Sequence, residues 1–329
     1  MTIYLSATDI ARMHDTGLVG IADYIEAVEA AYRDQGLERF QILPRQNFYV
    51  DRPEAKRPGS LKIGGGMLGG VGVMGTSMYA TGYGEMNLWA IAFSTATGDV
   101  EGIVHGRLVG RMKTGATAAV AARHMARPDA RIVGMIGTGD QAQTQLMGLA
   151  AVRPISEARV HSRSADNRAA FAAWAAKAVP GVKTHAVGSA REAVEGADIV
   201  VTVTNSKEPV LDAAWIAPGA HCNVLGAHYP KQREIDAKAL KRGRVVVDDL
   251  DQAWNEKGEL LIPLEAGEIG RDIVLGDLGS VIAGRIAPRT GPKDITIFLS
   301  GGTALEYMGA SSMLIRKATA AGIGLALPD

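Results

Sequence analysis

The segment that decides the fold is Arg131-Ile-Val-Gly-Met-Ile-Gly-Thr-Gly-Asp-Gln-Ala142. Its first six residues form a short apolar run typical of a buried strand, and the residues after it follow a helical pattern. Between strand and helix, Gly137 permits a tight turn and Gly139 lets the backbone approach a pyrophosphate, while the small Ala142 allows close packing of the helix. The pattern predicts a dinucleotide-binding turn, with Thr138 inside it and the helix N-terminus facing the phosphates.

Similar strand and helix patterns alternate downstream of this turn. Short, almost wholly apolar segments occur at residues 158–162, 183–187, 198–204, 221–226 and 244–248. Helical patterns of about 10–14 residues separate several of them, which indicates a parallel sheet covered on both faces. No strand is predicted between residue 248 and the end of the chain.

The residues upstream of about position 115 are mostly extended in pattern. Strands are predicted at residues 46–50, 61–64, 71–79 and 88–94, with helices at 20–35 and 108–126. The glycine-rich run at 64–72 lacks the Gly-Lys-Ser/Thr ending of a phosphate loop, so we expect a hairpin joining two strands. Residues 303–324 are helical again and are expected to return to this first part of the chain.

The predicted fold class is therefore α/β, with two domains. Residues 119–302 would form a Rossmann-type, doubly wound parallel sheet that binds NAD(P). Residues 1–118 together with 303–329 would form an α+β domain built from both chain ends. A chain of 329 residues is long enough for two domains of ordinary size.

The composition excludes several classes of function. Lysine and arginine total 35, as do aspartate and glutamate, so the zero net charge predicts neither a nucleic-acid partner nor an anionic membrane. No apolar run approaches the ~18–20 residues that span a bilayer, and the first residues lack a signal-peptide pattern. Cys222 is the only cysteine, and no Cys/His spacing predicts a metal site. We expect a cytoplasmic globular protein.

The choice of cofactor is expected at the end of the second strand of the parallel sheet. NAD enzymes usually place a carboxylate there to bind the ribose 2′-hydroxyl. This chain has Ser162, Arg163 and Ser164, with no acidic residue before Asp166. Arg163 with the two serines suits a 2′-phosphate, which favours NADP slightly over NAD. Alternatively, Arg163 is a solvated surface charge and the site accepts either cofactor.

Several motifs, taken in order, resemble the ornithine cyclodeaminase/mu-crystallin family. They lie at residues 111–126, 137–143, 197–204, 218–227, 247–250 and 298–306. The resemblance implies a substrate-binding and dimerisation domain built from both chain ends, a Rossmann domain between them, and a homodimer. It implies hydride transfer between a nicotinamide and the α-carbon of an amino or imino acid. The positions that would line the dinucleotide are Thr114, Gly139, Gln141, Thr204, Gly226 and Ser300.

The departures from the family pattern bear on the substrate. Lys113 stands where the family has an arginine that grips the substrate carboxylate, and Arg111 is a second candidate for this role. The family's usual lysine on the strand matching 75–79 is absent, and Lys62 is the candidate replacement. His228 stands where cyclodeaminases carry an aspartate base. Arg45 matches a substrate-binding arginine of the family.

These cations favour a substrate with anionic groups. We expect an imine reductase or amino-acid dehydrogenase acting on a small imino acid, such as the dicarboxylate iminosuccinate, with Lys62, Lys113 and His228 as catalytic residues. His228 or Lys62 would supply the proton. The alternatives are an ornithine-type cyclodeaminase with tightly bound NAD, and a non-catalytic mu-crystallin-like binder of NADPH and a ligand. Each of these side chains could instead be structural, Lys113 and His228 as surface groups and Arg45 as a strand-edge charge.

Overall fold

The computed structural model describes residues 2–52, 54, 59–83 and 87–328. The strands within these residues are β1 (Thr2–Leu5), β2 (Phe40–Val50), β3 (Gly59–Leu68), β4 (Val73–Thr81), β5 (Asn87–Ser94), β6 (Val100–His105), β7 (Ile132–Ile136), β8 (Glu157–His161), β9 (Lys183–Ala186), β10 (Ile199–Thr202), β11 (His221–Val224), β12 (Gly243–Val247), β13 (Val274–Asp277), β14 (Ile295–Leu299) and β15 (Leu325–Leu327). The helices are α1 (Ala7–Asp15), α2 (Ile21–Gly36), α3 (Arg107–Met125), α4 (Asp140–Val152), α5 (Ala165–Ala178), α6 (Ala190–Val194), α7 (Ala237–Arg242), α8 (Leu250–Glu256), α9 (Gly258–Glu265), α10 (Leu278–Ile282) and α11 (Ala304–Ala321).

The chain forms two compact units. The first consists of Met1–Lys113 with Thr303–Asp329, and the second of Thr114–Gly302. The division falls inside helix α3, as does the expected boundary at residues 118/119. In the part of the chain that the structure describes, no helix is both long enough and apolar enough to span a bilayer.

The second unit contains the parallel sheet that the sequence predicts. Its strand order is β13-β12-β14-β11-β10-β7-β8-β9, and every described pair in it is parallel. Val200, Cys222 and Ile297 belong to one apolar cluster, and Ile199 and Val201 belong to another. Because successive side chains of a strand point to opposite faces, the sheet is covered on both sides. The Rossmann-type fold is confirmed, although strands β13 and β14 were not predicted.

The order of strands reverses between β7 and β10. Strands β8 and β9 lie on one side of β7, whereas β10, β11 and β14 continue on the other side. In open parallel sheets a ligand binds outside the carboxyl ends of the strands at this reversal. The residues that follow β7 and β10 therefore mark the expected cofactor edge.

The first unit is a mixed sheet completed by both chain ends. Its order is β15-β1-β6-β5-β4-β3-β2, with β15 from the C-terminal segment antiparallel to β1. Strand β2 lies at the edge, where Pro44 is tolerated beside an irregularity in the register between Leu43 and Gln46. Helix α11 packs against α2 and against β3 and β4.

The glycine-rich run at 64–72 joins the antiparallel strands β3 and β4, as the expected hairpin does, but β3 extends further into the run than predicted. Residues 64–68 belong to strand β3, and only the following residues form the turn, closed by a 2.9 Å hydrogen bond from Gly72 N to Leu68 O. The close packing of α11 against β3 explains why the strand part of this run contains glycine. A Cβ at Gly66 would lie 2.9 Å from Leu305 Cδ2, so glycine gives the helix room on this face of the sheet.

Candidate functional site

The turn after β7 has the geometry that the two glycines predict. Gly137 adopts φ +114°, and a Cβ there would lie 2.5 Å from the carbonyl oxygen of Val203. Only glycine satisfies both conditions. Gly139 is the N-cap of α4, supplies no side-chain cap, and has no atom within 4 Å of where a Cβ would be. This open space beside a helix N-terminus suits a pyrophosphate.

The residues next to this turn also fit a dinucleotide. Ala142 is fully buried in the apolar cluster between α4 and the sheet, as its predicted packing role requires. Gln145 donates a 3.2 Å hydrogen bond to the carbonyl of Thr114. The Oε1 atom of Gln141 is buried and has no hydrogen-bond partner among the described residues. A buried acceptor without a donor is costly, and a bound cofactor that supplies a donor would satisfy it.

The segment after β8 contains the candidate 2′-phosphate residues. The Thr138 hydroxyl donates to the Ser162 hydroxyl at 2.8 Å, which links this segment to the turn after β7. Ser164 caps α5 by accepting from Asn167 N at 3.2 Å. Arg168 donates to the carbonyl of Ser162, whereas the Arg163 side chain is exposed. An exposed arginine can reach a phosphate, so the geometry leaves both predicted roles of Arg163 open.

A buried carboxylate that the sequence analysis missed holds the loops after β10 and β11. Glu234 accepts from Thr202 Oγ1 at 2.8 Å, from Thr204 N at 2.5 Å and from Gly226 N at 2.7 Å. Burial raises the pKa of Glu234 to about 6, and Glu259 acts in the same direction, while the bonds from Thr204 and Thr202 lower it. No local motif identifies this residue, because its partners lie on other elements.

Two further buried charges hold the loops after β11 and β14. Asp248 accepts from Ser300 Oγ and from the backbone amides of Gly301 and Gly302, each at 2.8 Å. Lys257 donates to the carbonyl of Ala227 at 2.5 Å and to that of Ser300 at 3.2 Å. Asp248 lies in the motif at residues 247–250, which belongs to the family resemblance and by itself gives no role for this residue. Thr204, Gly226 and Ser300 are thus all fixed by buried charges at one edge of the sheet.

His228 follows this same edge. Its ring is half-buried and lies 4.6 Å from the ring of Tyr229, measured between centroids. Nδ1 lies 3.2 Å from the carbonyl oxygen of Gly226, so this nitrogen carries the proton in that hydrogen bond. The imidazole is thereby held in a fixed orientation beside the loop after β11.

In the first unit, Lys113 is buried, with 3% of its surface exposed, so the alternative of a solvated lysine is wrong. Its ammonium donates to Glu306 and lies 4.5 Å from the centroid of the Tyr307 ring. Tyr32 donates to the other oxygen of Glu306 at 2.5 Å. Helix α3 contributes the positive charge of this pair and α11 contributes the negative one. Neither charge is therefore buried without an opposite charge beside it.

Arg45 and Lys62 belong to the same unit. Arg45 donates to the hydroxyl of Tyr79 at 2.9 Å, and the Tyr79 and Tyr307 rings are 6.4 Å apart. Lys62 is 1% exposed and pairs in register with Tyr79 across β3 and β4, so the two side chains share a face of the sheet. We call Arg45, Lys62 and Lys113 the cationic group. The contacts through Tyr79 and Tyr307 link Arg45 to Lys113.

Arg111 lies on α3, half-buried. Burial lowers the pKa of its guanidinium, and the nearby Arg107 acts in the same direction. The described residues contain no group of three or more histidine, cysteine, aspartate or glutamate side chains that could hold a metal ion. The second unit thus has a sheet edge whose geometry suits a nucleotide, and the first unit has the cationic group.

Comparison with known proteins gives matches over nearly the whole chain. A model of the ornithine cyclodeaminase/mu-crystallin family matches residues 9–321, which confirms the resemblance in the motifs. The chain is 28% identical over 311 residues to an alanine dehydrogenase of Archaeoglobus fulgidus, covering 93% of this chain and 94% of that protein. It is 31% identical over 229 residues to a Delta(1)-pyrroline-2-carboxylate reductase of Bacillus cereus, covering 69% and 70%.

A solved structure extends the similarity to the backbone. The Delta(1)-pyrroline-2-carboxylate reductase of Thermococcus litoralis, in complex with NADH and L-proline, superimposes with a TM-score of 0.90 at 28% identity. The match covers 99% of this chain and 100% of that chain. Both compact units are therefore similar in fold to a nicotinamide-dependent reductase.

Proposed function

Because the chain belongs to the ornithine cyclodeaminase/mu-crystallin family, we propose that it reduces a small imino acid with NAD(P)H, by hydride transfer to the α-carbon. Its relatives include an alanine dehydrogenase and pyrroline-2-carboxylate reductases, so it is an NAD(P)-dependent oxidoreductase acting on amino or imino groups. The observation that carries the proposal is the turn at 137–139, with its positive φ, its open space beside Gly139 and the Gln141 oxygen that has no hydrogen-bond partner among the described residues.

The cationic group is proposed to hold the substrate. Arg45 has a planar guanidinium that matches a carboxylate, and its bond to Tyr79 fixes its direction. Lys62 adds a compact positive charge. Lys113 adds an ammonium whose position is fixed by Glu306 and whose charge that carboxylate offsets. The cations favour an anionic substrate, and we propose a dicarboxylate imine such as iminosuccinate as the first candidate.

The reduction also needs a proton at the substrate nitrogen. A bound reduced nicotinamide supplies the hydride. His228 is the proposed proton donor, because its Nδ1 donates to the carbonyl of Gly226, which fixes the ring at the carboxyl edge of the sheet, and imidazole is a common general acid. Lys62 is the second candidate, and Lys113 is proposed to orient the carboxylate. Replacement of His228 by alanine should lower turnover by about 100-fold. A change within about twofold would remove His228 from proton transfer.

For the cofactor we propose NADP with a slight preference over NAD. The support is the pair of serines, with Arg163 exposed between them, at the end of β8.

We also propose a homodimer formed through the first unit. Phe48, Leu61 and Trp89 are 59%, 39% and 39% exposed on the face of the sheet opposite α11. An exposed apolar face of this kind suits a second copy of the chain.

The experiment that tests the function follows the oxidation of NADH and NADPH by absorbance with a panel of imino acids. Oxaloacetate, pyruvate and glyoxylate are each supplied with ammonia or methylamine, and pyrroline-2-carboxylate is supplied alone. The proposal predicts the highest kcat/KM with oxaloacetate and ammonia. A preference for the cyclic imine would contradict the proposed dicarboxylate substrate, but it would still support an imine reductase. Without any cofactor oxidation, release of ammonia from ornithine would identify a cyclodeaminase, and cofactor binding alone would identify a binding protein.

A further inference from the structure

The loops that follow β10 and β11 meet on one carboxylate. Glu234 is fully buried, and its two oxygens accept from Thr202, from the amide of Thr204 and from the amide of Gly226. The approach is so close that a Cβ at Gly226 would lie 2.4 Å from Glu234 Oε1 and 2.4 Å from the carbonyl oxygen of Thr204. The carboxylate thus occupies the space that a side chain at position 226 would need.

Burying this charge is costly, and the surroundings compensate it only indirectly. Glu259 lies next to it and accepts from Glu234 N at 3.2 Å, and Lys257 pairs with Glu259 at 3.4 Å. The same lysine donates to the carbonyls of Ala227 and Ser300. Apolar residues of similar volume would often stabilise a fold as well as such a network does. The network instead satisfies backbone groups of the loops at the carboxyl edge of the sheet.

The position of these loops indicates which half of a dinucleotide they serve. A Rossmann-type sheet consists of two mononucleotide-binding halves related across the reversal in strand order. Strands β7, β8 and β9 form the half that contains the glycine turn, which takes the adenosine side. Strands β10, β11 and β14 form the other half, so the loops held by Glu234 lie on the nicotinamide side.

We propose that Glu234 is a positioning residue that holds the loops after β10 and β11 in the conformation that binds the nicotinamide half of the cofactor. The inference rests on the proposed function. Glu234 does not itself touch the reacting atoms. An ionised carboxylate can accept all three bonds, whereas a glutamine would present an NH2 group to one of the backbone donors. Replacement by glutamine should therefore disturb the loops without changing the volume of the side chain.

The test compares ligand binding by the full chain and by Glu234→Gln, using calorimetry. NADPH, NADH and 5′-AMP are the probes, and AMP represents the adenosine half alone. The Kd of the dinucleotides should rise by about tenfold or more, because a hydrogen bond to a charged group is lost. The Kd of AMP should stay within about twofold. Thr202→Val keeps the carboxylate and removes one of its donors, so the Kd of the dinucleotides should rise by a smaller factor. This variant replaces Glu234→Gln in the test if Glu234→Gln fails to fold.

Asp198→Asn is the matched control. Asp198 accepts from the amides of Arg131 and Ile132 and pairs with Arg127, which places an equivalent carboxylate at the opposite, amino edge of the same sheet. This variant should lower the unfolding temperature and leave every Kd unchanged. An unchanged dinucleotide Kd in Glu234→Gln, or an equal loss for AMP or for Asp198→Asn, would overturn the positioning role. If the unmodified chain binds neither dinucleotide, the proposed function itself fails, and the inference fails with it.

Discussion

Lys113 of α3 donates a hydrogen bond to Glu306 of α11, and both side chains are buried. The bond from Tyr32 occupies the second oxygen of Glu306, and the ring of Tyr307 lies under the ammonium. The lysine is therefore held by a carboxylate on one side and an aromatic face on another. Its charge has a fixed position, which a flexible surface lysine would not provide.

Glu306→Gln tests whether this fixed position matters for the substrate. We expect KM for the imino acid to rise by about tenfold, because Lys113 loses its charged partner, while the Kd of NADPH stays within about twofold. Stability should fall by about 3–5 kcal/mol, the usual result of breaking a buried pair. Tyr32→Phe removes the other hydrogen bond to Glu306 and should lower the free energy of unfolding by about 1 kcal/mol. It replaces Glu306→Gln in this test if that variant does not fold. Asp23→Asn is the control. It removes the half-exposed partner of Lys317, and Lys317 lies on α11 as Glu306 does. An unchanged KM in Glu306→Gln would refute the proposal that the fixed position of Lys113 matters for the substrate.

The two glycines of the turn should respond differently to alanine. In Gly137→Ala the new Cβ meets the Val203 carbonyl and φ is unfavourable, so stability should fall by about 1–3 kcal/mol. In Gly139→Ala the Cβ enters open space, so the unfolding temperature should stay constant while the Kd of NADPH rises at least tenfold. Thermal unfolding and calorimetry on both variants check this difference. Normal cofactor binding by Gly139→Ala would show that no pyrophosphate approaches there.

Arg163→Gln tests the cofactor preference. If the exposed guanidinium binds a 2′-phosphate, the Kd of NADPH should rise by about tenfold, whereas the Kd of NADH should change less than twofold. Arg191→Gln, at another exposed arginine of the same unit, is the matched control. Equal effects on the two cofactors would mean that Arg163 is a solvated charge.

His221 should make stability depend on pH. The ring is fully buried between Thr296 and Asn223, and burial lowers the pKa of His221 to about 3 from an ordinary value of 6.5. The unfolded chain therefore binds this proton below pH 6.5 and the folded chain does not, so stability is lost as pH falls from 6.5 towards 3. Between pH 7 and pH 5 the stability of the unmodified chain relative to His221→Gln should fall by about 2 kcal/mol in urea unfolding. A constant difference would contradict this. His185→Gln, on an exposed strand position, is the control.

Phe48→Lys tests the proposed homodimer. A charge on this exposed apolar face should separate the copies, because burying it would leave an unpaired ammonium at the contact. Light scattering should show a dimer for the unmodified chain and a monomer for the variant. Leu37→Lys, at the exposed C-terminal end of α2, is the control and should stay dimeric. A monomeric unmodified chain would refute the dimer.

The parts of the fold that the sequence predicts are those with local signals. The turn at Gly137 and Gly139 is visible because its constraints act on adjacent residues. Strand β14 is a short apolar run at the centre of the sheet, and such a run does not by itself distinguish a strand from a buried helix. The strand is last of the eight in the chain and lies between β11 and β12, an order that no local pattern gives.

The candidate site follows the same rule. Lys113 and Arg45 were predicted from their places in the motifs of the family resemblance, but Lys113 and its partner Glu306 are 193 residues apart in the chain. Glu234 was not predicted at all, because a buried glutamate in an irregular segment resembles a surface one until the amides of Thr204 and Gly226 are placed around it. The roles of the site residues remain predictions that the variants above can test.

The interleaving of the first unit has a consequence for the order of folding during synthesis. Residues 114–302 form one uninterrupted unit and can fold as soon as they leave the ribosome. The sheet of residues 1–113 must wait for residues 303–328, which supply helix α11 over its glycine-lined face and strand β15 beside β1. Contacts so distant in sequence form slowly. The cationic side chains are translated first, yet Lys113 gains its partner only when nearly the whole chain has been made, so the unit proposed to hold the substrate is completed last.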